Sequence, residues 1–340
     1  MAKGDDMKGK LYLLAICVFI LPSLVLVSCG KSASTTSSNL TNTSSSVGTT
    51  TSSSPSVATT ITVGNNPTNI AYDSGKGEIF VVDGDSGSVA VISDSTNEVL
   101  STLTVDPAPA CLVYDPAKSE IFVADSNSGL VMVISDVTNA VVATVTGLNS
   151  PPNTMVYDSG KGEIFVSESG AVDVISDSSN TVVASIPITA TSIAYDSAKG
   201  EIFAPDGYNS NVAVISDTTN AVATTLTVSP YPGTIAYNAA KGQIFVSVSN
   251  GAAGLNVISD SDNSVKTIKG GIPGYYAYNS GKNELYAETA NYTVSVLTDS
   301  SSKVVATLSN KIGPMAYDSG KNELFIVSGY NTISVVTPTN

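Results

Sequence analysis

The sequence predicts an all-β fold, a seven-bladed β-propeller with four antiparallel strands per blade, and three observations carry that expectation. Tyr followed by Asp or Asn recurs seven times, at Tyr72, Tyr114, Tyr157, Tyr195, Tyr237, Tyr278 and Tyr317, at spacings of 42, 43, 38, 42, 41 and 39 residues. Each copy breaks into short apolar runs separated by Gly-, Ser- and Asp-rich turns. The beginning of the repeat region also supplies the one run that its end lacks.

A repeat of this length is the signature of stacked supersecondary units, none of which can bury its own apolar surface alone. Every copy carries a second mark, an aromatic residue after Glu or Gln and an aliphatic, at Phe80, Phe122, Phe165, Phe203, Phe245, Tyr286 and Phe325. In the first copy the strands read Asn69–Asp73, Glu78–Val82, Ser88–Ser93 and Glu98–Val105. The second and third, Ile79-Phe80-Val81-Val82 and Val89-Ala90-Val91-Ile92, are continuously apolar, as strands are when both sheet faces are covered. Neighbouring blades provide that cover in a propeller.

The seventh copy stops after its third strand, Thr332–Val336. The missing fourth strand has a counterpart at the start, where Val57-Ala58-Thr59-Thr60-Ile61-Thr62-Val63 differs at one position from Val222-Ala223-Thr224-Thr225-Leu226-Thr227-Val228. The N-terminal strand is therefore expected to complete the last blade and close the ring, removing most edges that invite aggregation.

Ahead of the repeats lies an address. Lys3, Lys8 and Lys10 precede a largely apolar stretch from Leu11 to Ser28, the order of an export signal. The run Leu26-Val27-Ser28-Cys29 resembles the lipobox of bacterial lipoproteins, which implies cleavage before Cys29 and lipidation of its thiol. An uncleaved signal anchor is the alternative, since 18 largely apolar residues just span a bilayer. Either way the expected organisation is signal or anchor over 1–28, a flexible stalk over 29–56 that is about two-thirds Ser and Thr from 31 onward, and the propeller over 57–340. The chain is expected to be exported and membrane-anchored, at the cell surface or facing the periplasm.

Across the repeats, Ile121-Phe122-Val123-Ala124-Asp125, Val131-Met132-Val133-Ile134-Ser135-Asp136, Thr138-Asn139 and Val141-Val142-Ala143-Thr144-Val145 form a pattern similar to the YVTN-type propeller repeats of archaeal surface-layer and bacterial exported proteins. The literal Tyr-Val-Thr-Asn tetrapeptide does not occur. The resemblance spans about residues 57–340 and implies a surface or periplasmic propeller.

Composition narrows the chemistry. The chain has no His, Arg or Trp, and Gln243 is its single glutamine. Haem ligation by His and arginine-based catalysis are thereby excluded, and no cofactor is expected. A formal charge of −14 disfavours nucleic acid as a partner. Only Cys111 lies in the folded part, so neither an internal disulfide nor a cysteine metal cluster can form there. Asp83-Gly84-Asp85-Ser86-Gly87 and Asp125-Ser126-Asn127-Ser128-Gly129 open like calcium loops, but Asp94 and Asp136, where the closing Glu would stand, lie a whole strand away; both segments read as turns.

Successive hairpins open on opposite rims, and the two rims differ in sequence. The first turns (Asp73-Ser74-Gly75-Lys76-Gly77 and its repeats) and the third turns (opened by Asp94, Asp136, Asp177, Asp217, Asp260 and Asp299, closed by Asn97, Asn139, Asn180, Asn220 or Asn263) are nearly constant. These Asp and Asn residues are expected to cap their own turns by bonding local amides. The second turns and the blade connections vary, and six tyrosines fall there: Tyr208, Tyr231, Tyr275, Tyr276, Tyr292 and Tyr330. Exposed Tyr offers an apolar face with a polar edge, suited to a surface glycan or protein; packing within the loops is the plainer role. The sequence thus favours a noncatalytic binding or scaffold module acting through its variable rim. The alternative is an exported hydrolase or lyase with two carboxylates at the axis.

Overall fold

A computed structural model describes residues 56–249, 254–269, 274–279, 282, 284–289, 292–297, 302–308 and 312–338. All described residues belong to one compact unit, Thr51–Asn340. The export segment, Cys29, most of the stalk and Asp299 lie outside the described residues.

Seven four-stranded antiparallel sheets form this unit. Blade one runs Pro67–Asp73, Glu78–Asp83, Ser88–Ser93 and Val99–Thr104, close to the spans read from sequence. Blade seven contains Met315–Asp318, Glu323–Val327 and Thr332–Thr337, and its fourth strand is the N-terminal Ser56–Thr62. Pairing extends from Ser56 opposite Thr337 to Thr62 opposite Thr332, so both ends of the repeat region meet in one sheet. The ring closure expected from the displaced strand is present.

Burial follows position within the blade. Second and third strands are buried on both faces, as in Glu78–Asp83 and Ser88–Ser93, whereas fourth strands such as Val99–Thr104 alternate between exposed and half-buried. The core is accordingly divided into seven clusters, one at each blade interface. The repeated aromatic is the wedge between blades. Phe80 packs with Ile121 of blade two and Phe122 with Ile164 of blade three, and Phe325 of the last blade packs with Ile79 of the first. All seven aromatics are fully buried, and each contributes on the order of 2–3 kcal/mol by leaving water. In blade six the wedge is Tyr286, whose hydroxyl donates to Glu284 Oε2 at 2.7 Å while its ring stacks on Tyr317 at 5.4 Å. Cys111 is buried in the cluster between blades two and three, where burial pushes its thiol up to about 12.

The outer edges are managed as well. Register shifts between third and fourth strands occur in six blades, including the Val91/Ile92 and Val133/Ile134 steps. Such bulges twist an edge away from intermolecular pairing. The regular pairing of Gly254–Ser259 with Val265–Lys269 in blade five is the exception, and that strand carries the exposed Lys266.

Candidate functional site

First turns and third turns share one rim, and second turns and blade connections share the other. On the constant rim the first-turn aspartates cap as expected. Asp73 Oδ1 accepts from the Gly75 and Lys76 amides at 2.7 and 3.2 Å, and Asp158 and Asp318 repeat the pattern. Gly77 is needed there twice over: its φ is +68°, and a Cβ would lie 2.5 Å from Asp94 Oδ2.

The third-turn aspartates correct the expectation of local capping. Asp94, Asp136 and Asp260 accept from the hydroxyls of Tyr72, Tyr114 and Tyr237 at 3.3, 3.2 and 3.4 Å. In blade one the local cap is Ser93, whose Oγ accepts from the Ser95 and Thr96 amides. The lysine of the preceding blade's first turn reaches the same loop, Lys76 to the Asp136 carbonyl, Lys161 to that of Asp217 and Lys321 to Asp94. Burial, then Asp73 of the preceding blade and Asp136 of its own, holds the Tyr114 phenol well above its ordinary range, so it stays a donor. Tyr, two Asp and Lys thus form a latch across the blade interface, and the constancy of this rim follows from it. Blades five and six depart from the pattern with Asn238 and Asn279 in place of the first-turn Asp.

The opposite rim holds the six tyrosines singled out by sequence. Tyr208, Tyr231, Tyr275, Tyr292 and Tyr330 are 81%, 59%, 39%, 51% and 63% exposed. Tyr231 and Tyr292 have φ of 58° and 57°, a left-handed backbone uncommon for an aromatic and costing about 1–3 kcal/mol. Elsewhere among the described non-glycine residues this conformation falls on Asn and Ser. Tyr330 donates to Asp85 Oδ2 at 3.0 Å, joining the second turns of blades seven and one. Tyr276 behaves differently: it opens the first strand of blade six, packs against the cluster between blades five and six, and keeps a buried hydroxyl whose pKa burial raises.

Two adjoining cavities open among these residues. A cleft of about 540 Å³ between blades seven and one brings together Tyr275 and Tyr330 with Asn66, Pro67, Pro314 and Gly329. A cavity of about 400 Å³ at the axis takes residues from all seven blades, among them Thr68, Ala110, Asn153, Ser192, Thr234, Tyr276 and Met315. The two share Thr68, Tyr275 and Pro314. Tyr208, Tyr231 and Tyr292 line neither.

Acids at the ends of the second strands, on this same rim, hold down the blade connections. Asp125 accepts from the Asn127, Ser128 and Ala108 amides at 2.8, 2.6 and 2.9 Å, the turn role expected of that segment. Burial pushes Asp83 up to about 6. One acid pair escaped the sequence reading. Glu168 and Asp173 are both fully buried in blade three; Ser150 donates its amide to Glu168 at 2.6 Å, and the Asn149 side chain donates to both Asp173 oxygens at 2.9 and 3.0 Å. Burial and the neighbouring Asp173 raise the Glu168 carboxyl above its ordinary range. The available signal was that Asp173 occupies a position held by Ala90, Met132 and Ala213 in other blades.

No protein family and no curated protein matches the sequence. Among solved structures, the chain is similar to the β-propeller domain of Cps50 (Swd1) from Myceliophteria thermophila, with TM-score 0.69 and 11% identity over 84% of this chain and 100% of that one. It is similar also to hydrazine synthase from Kuenenia stuttgartiensis, with TM-score 0.69 and 14% identity over 87% of this chain and 100% of that one. At these identities the likeness is one of fold alone, that of a β-propeller, and a fold does not by itself assign a function.

Proposed function

We propose that this chain is a noncatalytic binding module of the cell surface, related to the YVTN-type exported propellers, tethered through Cys29 or an uncleaved anchor and engaging a surface glycan or protein with its variable rim. The observation that carries this reading is the placement of five exposed tyrosines on one rim, two of them in a strained backbone conformation. Strain of this kind persists where surrounding structure enforces it, and it clusters at functional positions. The constant rim, by contrast, spends its polar groups on latching blades together. The export-type N-terminus and the stalk composition support a location beyond the membrane.

Tyr208, Tyr231, Tyr275 and Tyr292 changed together to Ala should abolish association of the purified chain with cell envelopes, while the melting temperature stays near that of the parent. Association that survives at parental strength would remove the variable rim from the reading.

A further inference from the structure

We infer that the axial cavity takes the terminal rings of a neutral glycan, an inference that rests on the variable rim being the binding face. The cavity lies at the end of the first strands where they enter from the variable rim, and every blade contributes to its wall. About 400 Å³ falls in the range of small-ligand sites and accommodates roughly two sugar rings.

The chemistry of the wall selects the class. Thr68, Asn69, Asn153, Thr154, Ser192 and Thr234 bring hydroxyls and amides, groups that both donate and accept. Sugar hydroxyls have the same dual capacity. The described wall contains no carboxylate and no lysine, so it offers nothing to pair with the charged ends of a peptide or with an ionic sugar, and the chain's −14 charge repels anions further. Tyr275 and Tyr276 add aromatic surface, against which the apolar face of a sugar ring can lie.

Part of the polar wall is already committed. Thr234 Oγ1 bonds the Gly274 carbonyl at 2.7 Å and the Ser247 hydroxyl at 2.9 Å, and Thr191 Oγ1 donates to the Pro205 carbonyl at 3.0 Å. Two other wall residues carry a hydroxyl that is shielded from solvent, Thr68 Oγ1 with no protein partner and Tyr276 Oη with only Thr234 beside it. A buried hydroxyl without a partner costs about 1–3 kcal/mol, which gives a bound ligand a reason to engage Thr68. Because the cleft beside Tyr275 and Tyr330 shares its wall with this cavity, a glycan longer than the cavity would leave along that cleft.

The test is titration calorimetry on the full chain with maltotriose, cellotriose, mannotriose and chitotriose as neutral probes, trigalacturonate as an anionic one, chitosan trimer as a cationic one and tri-alanine as a peptide. At least one neutral trisaccharide should bind. Asn153→Leu together with Ser192→Val should weaken it about tenfold or more; the gentler Thr68→Val should weaken it measurably without touching the fold, and Thr144→Val on an outer strand should leave it unchanged. Neutral binding that survives both cavity variants overturns the inference, as does preference for the anionic, cationic or peptide probe. Silence toward all neutral probes, with envelope association still dependent on the rim tyrosines, overturns the inference alone and leaves the rim reading standing.

Discussion

The Lys321 ammonium lies 3.0 Å from Asp94 Oδ1, joining a side chain of the last blade to a turn of the first. The N-terminal strand joins the same two ends of the repeat region through the backbone ladder between Ser56–Thr62 and Thr332–Thr337. The ladder supplies the strength of this closure, because an exposed ion pair is worth about 0–1 kcal/mol. Excising Ser56–Thr62 should therefore lower the melting temperature by roughly 10 °C or more, whereas Lys321→Met should lower it by about 2 °C at most. Differential scanning calorimetry of both variants checks this, and equal effects would place the closure in the ion pair.

The latch predicts a different pattern. Tyr114→Phe removes a donor from Asp136, a buried residue, and should destabilise the propeller by about 1–3 kcal/mol in urea unfolding. Pairing it with Asp136→Asn in a double-mutant cycle should show coupling, since both changes act on one hydrogen bond. Strict additivity would mean that the repeated Tyr acts only through the packing of its ring.

Much of this architecture was legible because it is written in local spacing: the Tyr and aromatic marks, the four strands per copy and the displaced strand at the start all appear in the chain as read. The latch was not, since linear order does not say that the first-strand hydroxyl meets the carboxylate two strands later in its own blade, or that the lysine reaches the next blade. Local capping was the reasonable expectation for Asp94, and the capping belongs to Ser93. Tyr275 and Tyr276 show the same limit on a smaller scale. They are adjacent and both line the axial cavity, but Tyr275 precedes the strand and stays 39% exposed, whereas Tyr276 opens it with its hydroxyl buried. The Glu168–Asp173 pair needed the fold of a hairpin and the approach of Asn149 before its two acids became neighbours.

Stability should depend on pH in a direction set by the buried acids. Asp83 has its carboxyl raised from 3.8 to about 6 by burial, and Glu168 is raised as well. The folded chain then holds protons that the unfolded chain has already released. The associated stability is fully present below the ordinary carboxylate pKa and is lost as pH rises through about 6. Asp83 alone accounts for on the order of 2 kcal/mol. Urea midpoints should fall between pH 4.5 and 7.5, and Asp83→Asn should flatten part of that decline. A midpoint that rises over this range contradicts the assignment.

Blade five offers a test of edge protection. Its outer strand lacks the register shift found in the other six blades, and Lys266 stands exposed on it. Lys266→Thr would leave a straight edge without its exposed charge, the pattern that pairs with a second copy. Light scattering after size exclusion should show a concentration-dependent dimer. A particle of unchanged mass at every concentration would assign edge protection elsewhere.

Hydroxyl-radical footprinting on cell envelopes tests the binding face most directly, because tyrosines report on both sides of the ring. Tyr208, Tyr231, Tyr275, Tyr292 and Tyr330 should lose reactivity on binding while the partly exposed latch tyrosines, Tyr72, Tyr114 and Tyr237, keep theirs. Protection of the latch tyrosines with the rim tyrosines still reactive would turn the binding face over.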